Sequence, residues 1–99
     1  MFRFIEFANT GVKGLVLDSK GHTISNATIG MSLDKNYKIV SGKNLTSSER
    51  GEYWRLALPG AYYLHVWHTL HYQEEPLQIK VTNNELIVQN LILQETLKV

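Results

Sequence analysis

The sequence contains no cysteine, which removes both a disulfide framework and any thiolate metal site. Charge is sparse as well: charged residues make up 19% of the 99, and the formal net charge is +1. Basic and acidic residues are interspersed, so no clustered basic face is on offer to a nucleic acid. No apolar run approaches the length of a membrane span. The opening Met-Phe-Arg-Phe-Ile-Glu-Phe is too short and too charged for a secretory signal, and no small-residue cleavage site follows it. Catalytic signatures are missing too. There is no His-Glu-x-x-His, Ser47-Ser48 lacks the strand–Gly-x-Ser-x-Gly–helix setting, and Gly11-x-x-Gly14 lacks the rest of a nucleotide-binding fingerprint.

What is present is a single domain's worth of strand-forming sequence, 43% hydrophobic. The stretch Gly51 to Val66 is its centre and reads as two strands joined by a Pro59-Gly60 turn. Tyr62, Leu64 and Val66 alternate with Tyr63, His65 and Trp67, the period of a strand with two different faces. The first set is assigned to the core, and Trp54 is placed with Leu56 and Leu58 on a buried face. Tyr63, His65 and Trp67 then form an apolar patch with a polar tip, a candidate interface. A hairpin this apolar cannot stand alone in water, so further strands must cover it.

Turn signals every eight to twelve residues supply them. Strands are expected over Val12 to Asp18, Asn26 to Leu33 (with Ala27, Ile29, Met31 and Leu33 inward), Tyr37 to Val40, Leu77 to Val81 and Leu86 to Leu93. Ser41 to Arg50 reads as a polar loop, and His68 to Glu75 is ambiguous. Residues 1 to 10 read as the end of a helix and a linker, with Phe2, Ile5 and Phe4 or Phe7 along one side. The sandwich spans 11 to 94, and 95 to 99 form a tail. The fold class is therefore all-β: a seven-stranded antiparallel sandwich of two sheets with a short N-terminal helix remnant.

Two sequons, Asn26-Ala27-Thr28 and Asn44-Leu45-Thr46, are candidate N-glycosylation sites. His65, His68 and His71 form His-x-x-His-x-x-His. In an extended strand residues three apart point to opposite faces, so this spacing speaks for surface histidines rather than a metal site. Glu74-Glu75 reads as a solvated pair, since neighbours in an extended segment diverge.

The order of Gly11-Val12-Lys13-Gly14, Asp18, Gly21, Asn26-Ala27-Thr28-Ile29, Gly51-Glu52-Tyr53-Trp54-Arg55-Leu56 and Leu58-Pro59-Gly60-Ala61-Tyr62 resembles one family. It is the transthyretin-like domain that follows the catalytic domain in the N/E subfamily of zinc metallocarboxypeptidases (carboxypeptidases D, E, M and N). Ser47, Thr23 and His71-Tyr72 depart from its usual pattern. The resemblance implies a transthyretin-like sandwich without catalytic, cofactor-binding or metal-binding residues of its own. It implies an accessory role in folding or stability of a neighbouring peptidase domain of the same polypeptide. That peptidase removes C-terminal basic residues with a zinc ion whose ligands lie upstream of this sequence. An extracellular or secretory location goes with it, and neither a nucleic acid partner nor a membrane span in this segment is expected. Two rival readings are a free-standing protein- or glycan-binding module and a homo-oligomer built through edge strands.

Overall fold

Val12 and Val16 alternate with Lys13 and Leu15 along the first strand, and the two valines are fully buried. That alternation seeds one half of the core. In the computed structural model, which describes residues 9–96, nine strands follow one another. They are β1 (Gly11–Asp18), β2 (Thr28–Ser32), β3 (Leu45–Thr46), β4 (Glu52–Leu56), β5 (Gly60–Trp67), β6 (His71–Tyr72), β7 (Leu77–Val81), β8 (Leu86–Val88) and β9 (Leu91–Glu95). Sheet one has the order β4-β1-β9-β6, with β8 also alongside β1; sheet two has the order β3-β2-β5-β7. Sheet one contributes Val12, Val16, Tyr53, Leu91 and Leu93 to the core. Sheet two answers with Ile29, Met31, Tyr62, Leu64, Val66, Ile79 and Val81. Among the described residues no helix is long and apolar enough to cross a membrane.

The all-β, two-sheet sandwich is the expected one, and Tyr62, Leu64 and Val66 are inward as assigned. The details differ in instructive ways. β4 and β5 do not form a hairpin: β4 pairs with β1 in sheet one, and β5 pairs with β2 and β7 in sheet two. Pro59-Gly60 is thus a crossing between sheets, where a residue with no N–H to give breaks no ladder. The Tyr62 hydroxyl fixes that crossing by donating to the Leu58 carbonyl at 2.7 Å. The register of β4 is also opposite to expectation. Trp54, Leu56 and Leu58 are 59%, 51% and 62% exposed, while Tyr53 and Arg55 point inward.

Arg55 faces inward because it has carbonyls to bind. Its two terminal nitrogens donate to the Lys43 and Ser41 carbonyls, each at 2.6 Å. Burial pushes its guanidinium below the ordinary value. The segment read as a loop carries β3, and Ser47 just beyond it staples the chain. Its hydroxyl accepts from the Ala27 N–H at 2.9 Å and donates to the Ile24 carbonyl at 2.8 Å. Gln73 extends β5's ladder beyond β7: its amide accepts from the Val66 N–H and donates to the Leu64 carbonyl, both at 3.0 Å.

Tyr37 to Val40 is not a strand. Tyr37 sits at φ 59°, and the region contributes one bridge, Ser32 to Val40. Leu33 lies past the end of β2 and is exposed. The single strand expected over Leu86 to Leu93 is two, and both run parallel to β1. Gln89 and Asn90 separate them because they close on Gly14, where an added Cβ would lie 2.2 Å from the Gln89 carbonyl oxygen. The Gln89 N–H donates to Lys13 and the Leu15 N–H to the Asn90 side chain. The Tyr53 hydroxyl donates to the Gln89 carbonyl, and burial pushes its pKa up. The expected helix remnant, residues 1 to 8, lies outside the described residues. β9 continues through Glu95, one residue past the expected domain end.

These placements separate two leucines. Leu64→Ala should cost about 2–5 kcal/mol in urea denaturation, as for other large-to-alanine core changes. Leu56→Ala, on the outer face, should stay within about 1 kcal/mol of the parent.

Candidate interaction site

The outer face of sheet two is built around a missing side chain. Gly30 on β2 lies opposite His65 on β5. A Cβ at Gly30 would meet the Tyr37 hydroxyl at 2.6 Å and both the Asn44 side chain and the Trp67 ring at 2.9 Å. The glycine therefore leaves a socket, and Tyr37 fills it. Its ring meets His65 edge-on with centroids 4.7 Å apart and Trp67 edge-on at 5.0 Å, while His65 and Trp67 stack at 6.0 Å. The Tyr37 hydroxyl donates to the Asn44 side-chain carbonyl at 2.6 Å.

Asp34 shapes the loop that delivers Tyr37. Its carboxylate accepts from the N–H groups of Ile39 (2.7 Å), Lys38 (2.9 Å) and Asn36 (3.2 Å). Those donors, the Ile39 amide foremost, hold its pKa below the ordinary carboxylate value. The Asp18 carboxyl is lowered in the same way, first by the His22 amide. In the socket floor, Ser32 spends its one proton on the Asp34 carbonyl at 2.5 Å. Its oxygen must then accept at 2.8 Å from His65, which carries its proton on Nε2.

Of the three residues expected to form an exposed patch, Trp67 is 44% exposed, Tyr63 is half-buried and His65 is only 7% exposed beneath Tyr37. The sequence reading missed the cover because Tyr37 was placed in a strand. A signal was available: a glycine in the middle of a strand often marks a close approach by another group. Both sequon asparagines are exposed. Asn26 has φ 59° and borders a cleft with Thr28, Trp67, His68 and Thr69. Asn44 keeps its amide nitrogen clear of the bond from Tyr37, which goes to the oxygen.

The three histidines divide. His65 turns into the socket, whereas His68, beyond the end of β5, and His71 on β6 face each other with Nδ1 atoms 3.3 Å apart. Among the described residues no three His, Cys, Asp or Glu side chains converge as a metal-binding group.

The outer face of sheet one carries large apolar side chains around an exposed lysine, and among the described residues they stay open to solvent. Lys13 lies between Trp54 and Val88 across three strands, and Leu17 lies beside Ile92. Trp54, Leu56, Val88 and Ile92 are all exposed. A shallow cleft of ≈ 690 Å³ opens there between Trp54, Val88, Glu52 and Asn90.

Burial of His65 pushes its pKa below the ordinary 6.5. The unfolded chain therefore binds a proton first, and stability should fall as pH drops from about 6.5 towards the folded-state value. Thermal midpoints across that window should show the loss in the parent protein, and His65→Gln should flatten this component. The loss from Asp34 and Asp18 comes lower, as pH falls from about 3.9 through their depressed folded-state values.

No family model matches the sequence. The chain is 33% identical over 84 residues to carboxypeptidase D of Drosophila melanogaster, a match covering 85% of this chain and 6% of that protein. It is 39% identical over 64 residues to the human carboxypeptidase N catalytic chain, covering 63% of this chain and 12% of that protein. Carboxypeptidase Z of Gallus gallus is 32% identical over 62 residues, with 63% and 8% covered. The chain thus spans a small fraction of the relatives it matches. Among solved structures, the major pilin subunit BcpA of Bacillus cereus superposes with a TM-score of 0.65 at 18% identity, over 89% of this chain and 31% of that one. The 3-chlorocatechol 1,2-dioxygenase of Rhodococcus opacus 1CP gives 0.59 at 10% identity, over 89% and 60%. These two likenesses show the fold alone. By sequence and by fold together, the chain is a carboxypeptidase regulatory-like β-sandwich domain, similar to a segment of carboxypeptidases D, N and Z.

Proposed function

We propose that this chain is the non-catalytic accessory domain of a zinc metallocarboxypeptidase that removes C-terminal basic residues. It supports the folding and stability of the catalytic domain by packing against it. The observation that carries this reading is the outer face of sheet one, where Trp54 and Leu56 on β4 and Val88 and Ile92 on β8 and β9 stand exposed on either side of β1, with the exposed Lys13 between Trp54 and Val88. Large apolar side chains exposed together on one sheet face, with a charged residue among them, suit a contact with a partner. The Phe2-Arg-Phe-Ile-Glu-Phe7 stretch leads directly into β1, the strand at the middle of that face.

The residues of the family resemblance have structural work in this sandwich. Tyr53 binds Gln89, Arg55 binds Ser41 and Lys43, and Tyr62 binds Leu58. That is the expected use of side chains in a supporting domain. Zinc and the catalytic carboxylate belong to the neighbouring domain in this reading. Passage through the secretory pathway follows, with Asn26 and Asn44 exposed for glycan attachment. A second reading, a free-standing glycan- or protein-binding module, draws on exposed Trp67 beside the Tyr37 socket and on Tyr63.

The transcript upstream of the Met1 codon tests the proposal. An open frame encoding His-x-x-Glu and a distal histidine is the expected result; an in-frame stop immediately before Met1 would overturn it and favour the binding module. At the protein level, Trp54→Ser should change the isolated domain's stability by no more than about 1 kcal/mol. In the joined protein the same change should lower the yield of secreted, active peptidase.

A further inference from the structure

We propose that His68 and His71 form a two-imidazole site for a tetrahedral divalent transition-metal ion, zinc(II) before copper(II). Strand alternation alone argues against such a pair, but His68 is not on a strand. It flanks the Thr69-Leu70 bend, where the chain leaves β5 in sheet two and enters β6 in sheet one. The reversal brings the two rings together, with centroids 5.0 Å apart and planes inclined by 65°.

The separation of the two Nδ1 atoms, 3.3 Å, is informative. It is long for a hydrogen bond from a ring N–H, whose usual range centres near 2.9–3.0 Å. Two nitrogen ligands at about 2.0–2.1 Å from a tetrahedral zinc ion stand about 3.3–3.4 Å apart, which the pair already matches. Adjacent ligands of a square-planar ion at about 2.0 Å would stand closer, near 2.8 Å, so the geometry prefers zinc to copper(II).

The scaffold fixes the His71 end of the pair. His71 pairs with Glu95 in the β6–β9 ladder, and the Leu70 carbonyl accepts from the Thr96 N–H at 3.2 Å. Such anchoring limits the ordering cost of binding. Glu74 and Glu75 line the same open cleft of ≈ 360 Å³ and add negative potential. The His68 Nδ1 lone pair currently accepts from the Leu70 N–H at 3.1 Å. Leu70 is exposed, so water can replace that partner when the nitrogen turns to a metal. Water also completes the coordination shell, which makes this an open site rather than a closed structural one.

Zinc chloride titrated into the purified 99-residue chain at neutral pH, followed by calorimetry and by imidazole ¹⁵N shifts, tests the assignment. One ion per chain should bind, with the Nδ1 signals of both His68 and His71 moving together. His68→Gln or His71→Gln, each removing one of only two protein ligands, should weaken binding by about tenfold or more. His22→Gln, at an exposed histidine elsewhere, should leave it unchanged. Both target histidines are half-buried, and an amide spectrum of each variant matching the parent shows that folding is intact. No saturable binding, binding lost with His22→Gln, or shifts confined to one of the two rings would overturn the proposal.

Discussion

Two apolar faces that neither sheet can cover alone hold this domain together. Val12, Val16, Leu91 and Leu93 on one side meet Ile29, Leu64, Val66 and Val81 on the other, and all are at or near complete burial. The chain reaches that arrangement by crossing between the sheets at nearly every connection. β4 to β5, β5 to β6, β6 to β7 and β7 to β8 all change sheet. Little of the core can therefore form from neighbouring strands, and both sheets must assemble before either is rewarded. The side-chain bonds at the crossings follow from this. Tyr62 to Leu58 and Gln73 to β5 occupy places where a regular ladder has ended.

The class of fold was legible because the chain keeps a strand's period of two at β1, β5 and β7, and those strands stand where that pattern puts them. The pairing was not. Pro59-Gly60 carries turn chemistry whether it links partners or carries the chain across a sandwich, and the distinction rests on β1 and β2, far away in sequence. The register of β4 was misread because Trp54, Leu56 and Leu58 outweigh Tyr53 and Arg55 in hydrophobicity. Arg55 is buried for its carbonyl partners, which no periodicity records. The break at Gln89-Asn90 is legible only together with Gly14.

The candidate surfaces follow the same division. Tyr63, His65 and Trp67 do share a face, as alternation requires. Tyr37 covers part of that face because Gly30 makes room and Asp34 bends the loop, and the sequence presents these as three separate facts. Family signature positions such as Tyr53, Arg55 and Tyr62 were legible as a pattern, but their purposes are visible only in the hydrogen bonds. The pairing of His68 with His71 depends on a bend that leaves one regular strand and enters another.

The parallel pairing of β1 with β9 has a mechanical side. β1 begins at Gly11 and β9 ends at Glu95, near the two ends of the described chain, and they lie side by side through Val16–Leu91, Leu17–Ile92 and Asp18–Leu93. Tension applied at those ends pulls two parallel neighbours in opposite directions along their length. Their hydrogen bonds lie across that direction, so they bear the load together in shear instead of opening one after another. A domain wired in this way can sit between other folded units and transmit force without unzipping from either end.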